Sequence, residues 1–182
     1  MIDAFSSAFG LLASSGAFER PPIDWHAVAP ELCLLGGGAL LTLIDVIWLE
    51  KGRSITSALA GIVMLIPIIP ILTLAIDSED RSMFKGAFVV DKYSLIIKAL
   101  FLLSGYLVVL LSTNYIDEGE YWENEYYGML ISSVLGMVLM ASARDLITIF
   151  VALELLSIPA YLLAAWRKKD HKSNEAGLKY YL

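Results

Sequence analysis

The sequence predicts an all-α, polytopic transmembrane helix bundle, and three observations carry that expectation. The 182 residues are 58% hydrophobic with a mean hydropathy of +0.69, which is more apolar surface than a globular domain of this size can bury, so the surplus must face lipid. Ser54 to Ile76 is a run of 23 residues without a charge; at about 1.5 Å rise per residue it crosses a hydrocarbon core of roughly 30 Å. Further apolar stretches of similar length alternate with short charged turns that leave no room for a soluble domain.

Composition also excludes several classes of function. A net charge of −6 and a pI near 4.8 argue against nucleic acid as a partner, because a phosphate backbone is held mainly by clustered Lys and Arg. One cysteine, Cys33, and two histidines, His26 and His171, cannot assemble a disulfide framework, a Cys-ligated cluster or a zinc site. No cofactor or metal is therefore expected in this chain, and any redox centre must lie elsewhere. Residues 1–27 lack the charged start, apolar middle and small-residue cleavage site of a signal peptide.

Taken in order, a first span runs from about Val28 to Trp48, with Glu31 at one end, Asp45 near the other, and Gly36, Gly37 and Gly38 allowing close approach of a neighbour. In the second, Ser54 to Ile76, Pro67 and Pro70 predict a kink. Residues 78–92 form the longest loop on the outer side, where a small β-hairpin or surface flap is possible. The third span, Tyr93 to Ile116, is interrupted by Lys98; the fourth, Tyr126 to Ala143, carries the small residues Gly128, Ser132, Ser133 and Gly136. The fifth is Leu146 to Trp166. Ser173 to Leu182 reads as the opening of another helix, capped by Ser173 or Asn174, that stops after fewer than about three turns, so the chain is expected to be a piece of a longer protein. Lys51 and Arg53 follow the first span, and Arg167, Lys168, Lys169 and Lys172 the fifth; both turns are placed in the cytoplasm and the N-terminus outside.

Glu154 is the informative residue. It lies nine residues after Asp145, about 13 Å along a straight helix, near the bilayer midplane in the run IFVALELLSIPAYLLAAW. A carboxylate there costs at least about 2.5–3.5 kcal/mol on insertion scales, so it should face the bundle interior or a hydrated cavity and mark an ion path. The plainer alternative is a protonated packing carboxylate. Ser157 and Tyr161 follow on the same helical face, and Pro159, lacking an N–H, releases the carbonyl of Leu155; hydroxyls, a freed carbonyl and water could form a relay. Equally, Pro159 could only bend the helix while the hydroxyls satisfy local carbonyls. Lys179 is a second candidate, able to exchange protons with a nearby carboxylate if buried, or to snorkel to the interface if not. Snorkelling also accounts for Lys98, with a relay role as the other reading. Asp45 and Glu31 are expected to be boundary or inter-helix contacts.

The segment 143–182 has an intramembrane Glu followed by Ser-x-Pro-x-Tyr, a basic turn with an Asp, and Asn-Glu-Ala-x-x-Lys-Tyr. In these features it resembles the antiporter-like subunit N family of bacterial and chloroplast-type NADH-quinone oxidoreductase, respiratory complex I. Weaker similarity extends to LTLIDVIW at 41–48 and to residues 91–116. The resemblance implies a fold of about fourteen helices with two inverted five-helix repeats, of which this chain is a truncated part: an outer segment at 1–27, three helices within 28–116, and the start of the first proton-channel repeat at 117–182. It implies that Glu154 is the fifth-helix channel carboxylate and Lys179 the sixth-helix lysine, acting with lysines on later helices. Further implications are a multi-pass place in the cell's inner membrane, neighbouring antiporter-like and other membrane-arm subunits, lipids and protons as partners, and NADH, FMN, iron-sulfur clusters and quinone in partner subunits. Two alternatives remain: a cation/proton antiporter or hydrogenase-linked subunit of the same fold, and a structural bundle that scaffolds the membrane arm.

Overall fold

The computed structural model describes residues 23–47, 53–77, 79–117, 123–167 and 170–182. Residues 1–22, 48–52, Ser78, 118–122, Lys168 and Lys169 lie outside the described residues. Seven helices and one hairpin make up the described fold: α1 (Ala29–Ile47), α2 (Arg53–Leu65), α3 (Ile68–Asp77), β1 (Arg81–Met83), β2 (Phe88–Val90), α4 (Lys92–Asp117), α5 (Glu123–Ser142), α6 (Leu146–Ala164) and α7 (His171–Tyr181). Four stretches are long and apolar enough to cross a membrane: Thr56–Asp77, Lys92–Ile116, Glu125–Ser142 and Leu146–Ala164. α1 adds a shorter apolar helix. The expected kink falls at Pro67, where the helix breaks into α2 and α3 because the proline ring removes a donor and clashes with the preceding turn.

α5 is the centre of the bundle, with α1, α2, α4 and α6 packed around it. Its buried side is Tyr127, Leu130, Ile131, Val134, Leu135 and Val138. Of the small residues expected to permit close packing, Gly136 and Ser133 meet α6. A Cβ on Gly136 would lie 2.5 Å from the Leu156 backbone nitrogen, and the Ser133 hydroxyl donates to the Leu156 carbonyl at 3.2 Å. Gly128 faces Thr42 of α1, while Ser132 donates to the Gly128 carbonyl of its own helix. Among the α1 glycines, Gly37 meets Val63 of α2 and Gly38 meets Ile131 of α5, whereas Gly36 faces open space. Large apolar residues such as Leu40, Ile69, Leu111 and Ile147 remain exposed around the outside, as expected of a surface solvated by acyl chains.

The loop after α3 does form a hairpin. β1 pairs antiparallel with β2, Met83 opposite Phe88, and the connection passes through positive φ at Phe84, Lys85 and Gly86. The hairpin is fastened on two sides. Arg81 bridges Asp24, ahead of α1, at 2.6 Å and Asp77, at the end of α3, at 2.9 Å. On the other side Phe88 bridges Ala143, the Arg144 N–H donates to the Ala87 carbonyl at 2.9 Å, and the Arg144 guanidinium pairs with Asp91. One end of the bundle is thereby closed by the turn before α1, the hairpin and the α5–α6 connection.

Three carboxylates at this end give it an acid sensitivity. Partial burial pushes the Asp24 carboxyl up, but Arg81 and the N–H groups of Ala27 and His26 outweigh it and hold Asp24 below the usual carboxylate range. Burial likewise pushes the Asp91 carboxyl up, but its hydrogen bonds with Ser94 and the charge of Arg144 outweigh it and hold Asp91 low. The Thr148 N–H and hydroxyl hold Asp145 low. A carboxylate lowered by folding stabilises the folded state fully above its unfolded value, and that contribution disappears as pH falls through the lowered value. Cleavage within residues 81–91 by an acid-tolerant protease is therefore expected to accelerate as pH drops below about 4, ahead of cleavage in the helices; a hairpin equally resistant at all pH values would contradict this.

Candidate functional site: two intramembrane charge positions

Glu154 is the ninth of the nineteen residues of α6, at the middle of the helix. The helix starts where it does because Asp145 is in an extended conformation and accepts a hydrogen bond from Thr148 N. α6 packs on α5 through Ala152 and Leu156, and turns Ile147, Phe150, Val151, Ile158 and Leu162 outward. Glu154 is half-buried and lies one turn from Phe150, Val151 and Ile158, on the margin of that outward face. Among the described residues its carboxylate has no hydrogen-bond or ion-pair partner.

The neighbours expected from the sequence are only partly assembled around it. Ser157 is half-buried one turn further on. Pro159 is buried, and the hydroxyl that reaches the carbonyls near this proline is Ser133 of α5, bonded to Leu156 rather than to Leu155. Tyr161 is packed edge-on against Tyr180 and Tyr181 of α7, with ring centroids 5.1 and 5.6 Å away, so its ring serves the α6–α7 contact. Lys179 is exposed and pairs with Glu175 on its own helix, Nζ to Oε1 at 2.6 Å. α7 is capped by Asp170, which accepts from Lys172 N, in place of the expected Ser173 or Asn174. The Ser173 hydroxyl instead donates to the Ala164 carbonyl at the end of α6, because the tight turn brings that unpaired carbonyl within reach. The described fold thus holds Glu154 and Lys179 on neighbouring helices without joining them.

Lys98 corrects the sequence reading. It does not snorkel: its side chain is 0% exposed, and its ammonium lies 2.6 Å from Oε1 of Glu31, itself only 4% exposed. Glu31 is an inter-helix contact as expected, but a buried one. The Phe88 ring of β2 covers the pair, its centroid 5.1 Å from Nζ, a favourable placement for a cation on an aromatic face. Among the described residues neither carboxylate oxygen nor Nζ has a partner with hydrogen-bond geometry, so the contact is an ion pair. Burial wins over snorkelling because both residues occupy seam positions. Along α4 the buried residues Leu95, Lys98, Leu102, Gly105, Val109, Ser112 and Ile116 recur at alternating steps of three and four. On the α1 side, Ala27, Glu31, Leu34 and Leu41 fall on one buried stripe. That spacing was the signal in the sequence that distinguished Lys98 from an interfacial lysine. No group of three or more His, Cys, Asp or Glu able to hold a metal occurs among the described residues.

Comparison with known proteins agrees with this architecture. Residues 143–182, which include α6 and α7, match the family described as NADH:quinone oxidoreductase/Mrp antiporter, TM. The NADH-quinone oxidoreductase subunit N of Anoxybacillus flavithermus is 37% identical over 159 residues, 86% of this chain and 32% of the relative. That of Trichlorobacter lovleyi is 36% identical over 88% of this chain and 32% of the relative. The NAD(P)H-quinone oxidoreductase subunit 2 of Synechococcus elongatus is 38% identical over 79% and 28%. The chain spans about a third of the length of these relatives. A chain in the structure of respiratory complex I from Thermus thermophilus with bound aureothin superposes with a TM-score of 0.68 at 27% identity, covering 84% of this chain and 32% of that one. With the paired seams, the mid-helix carboxylate and the shared fold, the chain is part of a multi-pass membrane protein and belongs to the NADH-quinone oxidoreductase subunit N family.

Proposed function

We propose that the protein is a proton-translocating subunit in the membrane arm of an NADH-quinone oxidoreductase. The observation that carries this reading is Glu154, a carboxylate at the middle of the apolar helix α6, inside the segment that matches the family. Ionisable groups at that depth are expensive and mark ion paths. Glu154 accepts and releases protons, or sets the charge state of a cationic partner from another helix or subunit. Because Lys179 is held by Glu175 in the described fold, it passes a proton onward only through an intervening polar group or by exchanging partners. Ser157 of α6 and Ser133 of α5 supply hydroxyls at the turn before Pro159. In this reading electron transfer from NADH through FMN and iron-sulfur clusters to quinone belongs to other subunits, and the chain performs no redox chemistry of its own. Its partners are further membrane-arm subunits, including neighbouring antiporter-like ones, together with lipid and protons. The N-terminus and the hairpin face the outside of the inner membrane, since Arg167 and Lys172 lie at the opposite end.

The experiment is proton pumping, normalised to electron transfer from NADH to quinone, in membranes whose assembled complex carries Glu154→Gln. Loss of pumping or of coupled turnover with normal assembly is the expected result. Unchanged rate and stoichiometry would remove Glu154 from the channel and leave the scaffold reading ahead. A cation/proton antiporter remains the second reading because the matching family also includes the Mrp antiporters; cation-dependent proton exchange in the absence of NADH would favour it.

A further inference from the structure

The Glu31–Lys98 pair lies apart from Glu154 and near the hairpin end of the bundle, where the helices α1 and α4 begin. A fully buried ion pair is a poor way to gain stability, since apolar side chains of similar volume do as well or better. Inside a membrane bundle such a pair is a functional position by default. Its surroundings provide what proton exchange needs. The ammonium and carboxylate are 2.6 Å apart as an ion pair without hydrogen-bond alignment, so turning an N–H toward the carboxylate is the change that a proton transfer between them needs. Carboxylate oxygen Oε2 is buried without a protein partner among the described residues, so it remains able to accept.

Toward the surface, the start of α4 carries polar residues one and two turns before Lys98. Ser94, one turn before Lys98 and on the same side of α4, is fully buried. Its hydroxyl donates to the Asp91 carbonyl at 2.8 Å, and its N–H donates to Asp91 Oδ1 at 2.7 Å. Asp91, a further turn out and partly exposed, pairs with Arg144 on the α5–α6 connection. Phe88 of the hairpin roofs the pair, and the same strand is bridged to Ala143. Movement of the hairpin would therefore uncover the pair and disturb the start of α6 together.

We propose that Glu31 and Lys98 form a second proton-exchange site, with Asp91 as the group through which it communicates with water at the hairpin end. This inference rests on the proton-translocating reading given above. An N–H bond of the Lys98 ammonium breaks and an O–H bond forms on Glu31, converting the charged pair into a neutral amine and carboxylic acid. The amine then takes a proton supplied by water through Asp91, and Glu31 gives its own from Oε2 to a water molecule, which restores the charged pair. Protons alone move, no electrons are transferred, and the only co-reactant is water.

Two variants of the assembled complex test it. Lys98→Arg keeps the positive charge and the pair, but a guanidinium does not give up its proton in proteins. Glu31→Gln combined with Lys98→Met removes both charges and leaves no buried ion unpaired. With the amount of complex in the membrane as the measure of assembly, the site predicts that each variant assembles and loses pumping per electron. A merely structural pair predicts normal pumping from either one, and that result overturns the proposal. So does failure of both to assemble, which would make the pair a folding element; if only one assembles, its pumping decides. The wild-type complex is the control that separates the two readings. If it moves no protons, the proposed function fails, whereas normal wild-type pumping with normal pumping in these variants removes only the second site. Glu154→Gln reports on the α6 carboxylate independently.

Discussion

Replacing Glu31 by Leu is expected to destabilise the protein by about 3–5 kcal/mol, because it leaves the Lys98 ammonium buried with no counter-charge. Lys98 is 0% exposed, so the charge cannot be returned to water without opening the bundle around it. The Phe88 ring offers a cation only a modest attraction. The measurement is thermal unfolding of the purified complex, with the amount assembled in membranes as a second readout. Adding Lys98→Met to Glu31→Leu should recover most of the loss, since the unpaired charge is gone and both side chains become apolar at seam positions. A single variant as stable as wild type would mean that Lys98 reaches water or another carboxylate, contrary to the geometry seen here.

Gly136→Val should produce the second large effect. The added Cβ would lie 2.5 Å from Leu156 N, 2.9 Å from the Ala152 carbonyl oxygen and 2.9 Å from Leu156 Cα. These are backbone atoms of α6, which cannot step aside by changing a rotamer. The helices must separate, with a cost of about 1–3 kcal/mol or more for an over-packed contact. Separation also breaks the Ser133 to Leu156 hydrogen bond and shifts the turn that follows Glu154. Gly36→Ala supplies the contrast, because nothing lies within 4 Å of its added Cβ. There the gain in helix propensity, about 0.8–1 kcal/mol for Ala over Gly, should be felt instead. Equal melting behaviour of Gly136→Val and wild type would show that α5 and α6 do not pack as closely as described.

Much of the fold was legible because membrane length is a local property. An apolar run such as 54–76 declares a span whatever its neighbours do, and Pro67 declares its break, since a missing N–H and a ring clash act within one turn. Glu154 was legible for the same reason: its depth follows from counting residues along one helix. The hairpin at 81–90 was visible only as a possibility, because its strands are short and their partner contacts, Ala143 and Arg144, come from the far side of two helices. The cap of α7 was misplaced by a few residues, since Asp170, Ser173 and Asn174 are all competent caps and the position of Ala164 decides between them.

The sequence by itself determined the class of fold, the positions of the apolar spans and the depth of the α6 carboxylate, because hydrophobic length and helical rise need no information about neighbouring helices. Only the tertiary structure decided which charges meet. Glu31 and Lys98, separated by a whole helical hairpin and a β-hairpin, become a buried pair because α1 and α4 both turn seam positions toward the same interior. Glu154 and Lys179, much closer in the chain, stay unjoined because α7 pairs its lysine with Glu175 one turn away. A charge on a helix is free to snorkel or to be buried, and the choice is made by what packs over it.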